Sequence, residues 1–206
     1  MDIIGHKKII NLIEKSIRED KVSHAYLFSG PEKVGKYTIA LQFANIITKN
    51  NEKYNADIKV LSPEVEEKKG ITKKKDINIE SVRELGRWLS LSPQGKRKVA
   101  IVDEAERLNV IAQNALLKTL EESVSNNVVI LVSHNENKLL PTVISRCHRM
   151  KFGTVSDHAM RLWLEENGKR LEEGMLFWAL GRPGMLIDFL RDKSLWEARK
   201  EATKEF

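Results

Sequence analysis

Through the first 150 residues, short unbroken apolar runs alternate with segments whose apolar residues recur every three or four positions. The runs "AYLFS" (25–29), "KVAIVD" (98–103) and "VVILVS" (128–133) are five or six residues long, and the last two are rich in valine and isoleucine. Runs of that length without polar alternation predict strands covered on both faces, as in a parallel sheet. Between them, Ile39, Phe43, Ile46 and Ile47 share one predicted helical face, Val82, Leu85 and Leu89 a second, and Leu108, Ala112, Leu116 and Leu120 a third. Strands alternating with helices predict an α/β fold.

The texture changes near residue 153. From "SDHAMRLWLEEN" onward there is no strand signal, only three or four short helical patterns broken at "GK", "EEG" and "GRPG". An α/β domain over 1–153 and a small all-helical domain over 154–206 are therefore expected. Residues 49–79 are lysine-rich and weakly periodic, with one candidate strand at Ile58–Leu61. There Lys68, Lys69, Lys73, Lys74 and Lys75 read as a solvated loop rather than a nucleic-acid patch. The chain has no internal repeat.

Composition narrows the classes further. A chain of 206 residues that is 41% hydrophobic can bury one good core, or one core and a small appendage. A formal charge of +6 suits an acidic partner without identifying nucleic acid. No stretch has 18 apolar residues, and "MDIIGHKKII" lacks a signal-peptide apolar region, so the chain reads as soluble and cytoplasmic with no membrane partner. The lone cysteine, Cys147, excludes an internal disulfide and a cysteine-cluster zinc site.

Candidate chemistry begins at "GPEKVGKYT" (30–38). Gly30, Gly35 and Lys36 have the spacing of the phosphate loop G-x-x-x-x-G-K-[ST], but Tyr37 fills the final slot. The bare spacing arises by chance in roughly one chain in fifteen of this size. Context strengthens it, because the run leaves an apolar strand and opens a helical pattern. Glycines let backbone N–H groups wrap a phosphate, the helix N-terminus adds positive potential, and a lysine at 36 can reach the terminal phosphates. A second element, "KVAIVDEAERL", ends a strand on Asp103 and Glu104. In phosphate-loop ATPases such an aspartate holds magnesium and such a glutamate orients the attacking water. An acidic start to the next helix would look the same.

A third element makes the chain recognisable. Together "IIGH" (3–6), "HAYLFSGPEKVGKYTIA" (24–40), "INIESVRELGRWLS" (77–90), "KVAIVDEAERLNVIAQNALLKTLEES" (98–123) and "LLPTVISRC" (139–147) strongly resemble the delta-prime subunits of the bacterial DNA polymerase III clamp loader, from about residue 3 to residue 190. "NALLKTLEE" and "SRC" are far more specific to clamp-loader AAA+ subunits than the phosphate loop is. The resemblance implies an AAA+ phosphate-loop domain with a five-stranded parallel sheet, then a helical lid. A helical collar that joins subunits into a ring-like pentamer normally follows, and this chain ends where it would begin. It is expected to be either a fragment or an unusually short relative.

Carried over position by position, the resemblance implies a degenerate nucleotide site of Gly30, Gly35, Lys36, Tyr37, Thr38, Asp103 and Glu104, with Ser133 or His134 at the residue that senses the γ-phosphate. It also implies that Arg146 of "SRC" is an arginine finger reaching a neighbouring subunit's ATP site; a buried structural arginine is the alternative. ATP or ADP is the implied nucleotide. Three departures from the family pattern carry weight, the first two against hydrolysis. Tyr37 replaces the hydroxyl that binds magnesium, and Thr38, one residue on, points about 100° away on a helix. Met185 stands where active lids carry an arginine, with Arg182 three residues early. No cysteine occurs in 49–79, so the zinc module of many relatives is missing, and neither zinc nor another bound metal is expected.

Two functional classes remain. One is a non-hydrolysing stator that lends Arg146 to an adjacent ATPase and helps hold the loader on the sliding clamp and primed DNA, within a complex of other clamp-loader subunits. The other is an ATPase motor using Lys36, Asp103 and Glu104. A general phosphate-loop kinase or GTPase is disfavoured, because "SRC" and a helical lid have no role there.

Overall fold

The computed structural model describes residues 3–49, 55–68, 71–121 and 126–204. In chain order the strands are β1 (Ala25–Ser29), β2 (Ile58–Leu61), β3 (Val65–Lys68), β4 (Ile71–Lys74), β5 (Lys98–Val102), β6 (Asn127–Ser133) and β7 (His148–Lys151). The helices are α1 (Lys7–Arg18), α2 (Lys36–Thr48), α3 (Ile79–Leu89), α4 (Val110–Glu121), α5 (Pro141–Ile144), α6 (Asp157–Glu166), α7 (Met175–Ala179), α8 (Pro183–Arg191) and α9 (Lys193–Lys204).

Five strands make one parallel sheet in the order β2-β5-β6-β1-β7. The central strands are as apolar as they are because they are covered on both sides: every residue of β1 and β5 is buried, as are Val128–Ser133 of β6. Alternate side chains serve opposite faces. Ala25, Leu27, Ala100, Val102, Val129 and Leu131 join one cluster with Leu85 and Leu89 of α3 and Leu116 and Leu120 of α4. On the other face Tyr26 meets Phe43 of α2 edge-on, 5.2 Å between ring centres. The α/β fold and the five-stranded parallel sheet expected from the sequence are present.

Three details differ from the sequence reading. Ile46 is 53% exposed, although it was placed on the buried face of α2. That face is completed by Ala40 and Ala44, which lie on the opposite side of the Ile39–Phe43–Ile47 stripe from Ile46. The edge strand β7 escaped the pattern, because only Met150 of "HRMK" is buried. The lysine-rich segment is also more ordered than a loop: β3 and β4 form an antiparallel pair, with Val65 opposite Lys74 and Glu66 opposite Lys73. Lys69 lies outside the described residues.

The chain divides into two compact units, one of residues 8–30 and 36–151, the other of 1–7, 31–35 and 152–206. The second is built around Met160, Leu164, Met175, Leu186, Phe189 and Trp196, and it takes in Ile4 from the N-terminal segment. Trp196 Nε1 donates to Glu172 Oε2 (2.8 Å), so the one polar atom of a fully buried indole is satisfied.

The sheet-and-helix unit depends on the α3–α4 layer, where the Leu116 side chain is wholly buried. Leu116→Ala is expected to cost about 2–5 kcal/mol, as large-to-small core substitutions do. Urea unfolding followed by circular dichroism would measure it, and a loss below 1 kcal/mol would show that this layer can collapse around the gap.

Candidate functional site

Three adjacent strands, β5, β6 and β1, run parallel, so their carboxyl ends lie side by side, and there an open α/β sheet places its ligands. Asp103 and Glu104 leave β5, Ser133 and His134 end β6, and Gly30 leaves β1. The ladder continues into these residues: Gly30 N donates to Ser133 O (3.2 Å), and Asp103 N to Leu61 O (2.9 Å). Sequence-distant residues are thus fixed by backbone pairing.

The phosphate loop has the expected backbone. Gly35 has φ 102°, a conformation that a side chain would strain, and nothing lies within 4 Å of where its Cβ would be. Lys36 begins α2, is buried, and its Nζ donates to Gly30 O (2.7 Å), so the ammonium lies back across the mouth of the loop. Tyr37 and Thr38 follow in the first turn of α2, Tyr37 exposed and Thr38 half-buried. Burial, and then the charge of Asp103, raise the Tyr37 phenol above its ordinary range, so it stays protonated at neutral pH.

The acidic pair splits electrostatically. Burial raises the Asp103 carboxyl, and Glu104 and Glu106 reinforce that. Asp103 Oδ1 accepts from the Glu104 backbone N–H (3.1 Å). Glu104 has a left-handed backbone, φ 50°. Burial alone would raise its carboxyl, but hydrogen bonds from Lys74 and Arg107 outweigh burial and hold it below the usual range. Oε1 accepts from Lys74 Nζ, and Oε2 from Arg107 Nε (2.8 Å).

At the sensing position Ser133 is buried, and its Oγ accepts from Asn135 N (3.1 Å). His134 Nδ1 is 2.5 Å from Oε1 of the buried Glu106, whose Oε2 accepts from His134 N (3.3 Å). Both side chains are engaged within the sheet unit. Arg146 stands apart from this cluster. It follows α5, where one guanidinium nitrogen donates to Thr142 O (2.9 Å) and another lies 2.6 Å from Glu121 Oε1 at the end of α4. The Arg146 side chain is 36% exposed. Burial pushes the neighbouring Cys147 thiol up to about 12, which leaves it un-ionised and no nucleophile.

In the helical unit, α8 meets the tip of the phosphate loop. Gly184 N donates to Lys33 O (2.7 Å), and Lys33 Nζ lies 2.5 Å from Asp188 Oδ2. A Cβ on Gly184 would sit 2.8 Å from that carbonyl oxygen. Met185, read from the sequence as the lid position, packs against the helical core instead. It is therefore Gly184 that faces the loop. Sequence reasoning missed Gly184, Lys74, Arg107 and Glu121. Only Arg107 left a signal, three residues after Glu104 and so within reach on a helical turn.

The magnesium of active phosphate-loop ATPases does not fit these residues. Tyr37 offers a protonated phenol in place of an aliphatic hydroxyl, and both oxygens of Glu104, at the position that would orient the attacking water, are taken by cationic side chains. Among the described residues no three His, Cys, Asp or Glu side chains converge as metal ligands would. A separate cavity of about 730 Å³, lined by His24, Arg83, Arg87, Lys118 and Asn127 among others, lies at the opposite ends of the strands, away from this chemistry.

A five-stranded parallel sheet carrying a phosphate loop after β1 and an acidic pair after β5, followed by a helical unit, defines an AAA+ phosphate-loop protein. A family model described as "DNA polymerase III, delta subunit" matches residues 5–156, and the chain belongs to that family of clamp-loader subunits. Among curated proteins it is 31% identical to DNA polymerase III subunit tau of Bacillus subtilis, over 85% of this chain and 33% of that protein. It is 33% identical to subunit delta' of Pseudomonas aeruginosa, over 73% of this chain and 51% of that protein. The chain thus spans a third to about half the length of these relatives. Among solved structures, a DNA polymerase III gamma subunit-related protein of Thermotoga maritima matches with a TM-score of 0.58 at 28% identity, over 74% of this chain and 49% of that one. The RuvB Holliday junction branch migration motor of the same organism matches with a TM-score of 0.63 at 18% identity, over 91% of this chain and 61% of that one, a likeness of fold alone. Among the described residues no helix is long and apolar enough to cross a membrane.

The Asp103 carboxyl yields a pH prediction. Its raised value means that its ionisation is harder in the folded protein, so its contribution to stability is full in acid and lost as pH rises through the folded value. Asp103→Asn keeps the oxygen that accepts from Glu104 N. It is expected to raise the melting temperature at pH 7 by about 2–4 °C, the scale of a 1 kcal/mol gain in a chain of this size. The gain should fade as pH falls to about 4. Thermal scans across that range would reveal it, and a pH-independent difference would refute the cause given.

Proposed function

We propose that this chain acts in DNA replication as a delta-prime-type clamp-loader subunit that does not hydrolyse ATP itself. It serves as a stator within a complex of clamp-loader subunits that loads the sliding clamp onto primed DNA. It lends Arg146 to the ATP site of the next subunit. The observation that carries this reading is Tyr37, a protonated phenol in the first turn of α2 where hydrolysis requires a metal-binding hydroxyl. The partly exposed Arg146 side chain supports it, with Glu121 and the Thr142 carbonyl as the groups that orient it. An arginine supplied in trans neutralises charge building on the γ-phosphate during transfer.

An ATP-hydrolysing motor subunit is the second reading, favoured by the retained Gly30, Gly35, Lys36 and Asp103. The two separate in a loader reconstituted with this chain. Arg146→Ala is expected to lower the loader's ATPase while leaving assembly intact, with a ceiling of about 10³-fold or more at the affected interface. The overall fall is smaller where other interfaces keep their own fingers. Lys36→Ala should leave turnover near the parent level. If Lys36→Ala abolishes turnover and Arg146→Ala is silent, the stator reading fails.

A further inference from the structure

We infer that Lys74 is the resident cation of the acidic site: its ammonium, delivered from β4, binds Glu104 and neutralises the sheet end at which hydrolysing phosphate-loop proteins bind a divalent metal through the neighbouring aspartate. This deepens the non-hydrolysing reading but rests on different residues.

The first support is contact. Lys74 Nζ donates to Glu104 Oε1, and Arg107 Nε completes the carboxylate by donating to Oε2 (2.8 Å). Arg107 also reaches back through Nη1 to Lys74 O (3.3 Å), which ties the two cations into one brace.

The second support is that Lys74 is held in place by backbone. Ile77 is buried and bridges Leu108 in a parallel pairing. Ile77 N donates to Arg107 O (2.9 Å), and Asn109 N to Ile77 O (3.3 Å). Residues 74–77 therefore run beside 104–108, and the end of β4 falls next to Glu104. On the hairpin side, Lys75 N donates to Glu64 O (2.9 Å), closing the base of the two-stranded sheet. The backbone that carries Lys74 is thus held beside Glu104, and the ion pair fixes its partly exposed side chain.

The third support is charge. Asp103, Glu104 and Glu106 gather three carboxylates at one sheet end. Facing them are the cations Lys74 from β4 and Arg107 from the same turn. A bound divalent ion is usually the largest local charge in such a site. Here the compensation is covalently attached to the chain. Restoring a hydroxyl at position 37 would therefore leave Glu104 occupied, and Tyr37→Ser alone would not rebuild a metal site.

Manganese binding by the full chain tests this, read from the loss of the free-ion electron paramagnetic resonance signal in the absence of nucleotide. The parent protein and Asp103→Asn are expected to bind manganese alike, because the metal does not use Asp103 while Lys74 is present. Lys74→Met should gain one site at least about tenfold tighter, and manganese should raise its melting temperature. Lys74→Arg should behave as the parent, and Lys74→Met with Asp103→Asn should lose the gained site. Asp103-dependent manganese binding by the parent overturns the inference, as does Lys74→Met without gain. If Lys74→Met fails to fold, the parent and Asp103→Asn comparison still decides. No outcome draws on loader ATPase, so this inference can fail while the role of Arg146 stands, and the reverse.

Discussion

Parallel pairing of β5, β6 and β1 is the constraint on which the rest depends. Val102 pairs with Leu131 and Ser29 with Ser133, so the three strands end almost level. The ladder then extends past the strands, through Gly30 N to Ser133 O. The site is in this sense a continuation of the sheet. Backbone hydrogen bonds within a core that admits little water fix where the phosphate loop, the acidic pair and the sensing position begin, and side chains decide only what is done there.

Local electrostatics then divides the carboxylates gathered there. A parallel sheet end that gathers Asp103, Glu104 and Glu106 must find positive charge, because carboxylates drawn together out of water raise one another's affinity for protons. The two members of the pair meet different fates. Asp103 is buried, accepts a backbone N–H and no cationic hydrogen bond, and its carboxyl rises. Glu104 has Lys74 and Arg107, and its carboxyl falls. The left-handed backbone at Glu104 is a local cost of the kind that persists where surrounding contacts over-determine it, and two cationic hydrogen bonds supply those contacts.

In the helical unit a different device operates at close range. Gly184 lets the N-terminus of α8 reach the Lys33 carbonyl, and Asp188, four residues on and so on the same helical face, meets the Lys33 ammonium. Any larger residue at 184 would have to push that carbonyl away.

The sequence by itself determined β1, β5 and β6 as buried strands, with β2 as a candidate, the apolar faces of α2, α3 and α4, and the identity of the residues at the strand ends. These follow from local periodicity and from motif spacing, both of which survive when the chain is read in one dimension. It also exposed Tyr37, since one residue in a fixed frame needs no third dimension to be recognised as wrong. The sequence did not reveal β7, whose edge position requires only one buried side chain, nor the β3–β4 pair, whose segments VEEK and ITKK carry little apolar alternation. It misassigned Ile46, because two alanines can turn a helical stripe as effectively as an isoleucine. Tertiary structure alone decided that Lys74 meets Glu104 thirty residues away, that Arg146 is held by Glu121, and that Gly184 rather than Met185 faces the loop. Those are pairings between segments whose separation along the chain carries no signal, and only the folded backbone brings opposite charges, or a carbonyl and an N–H, within reach.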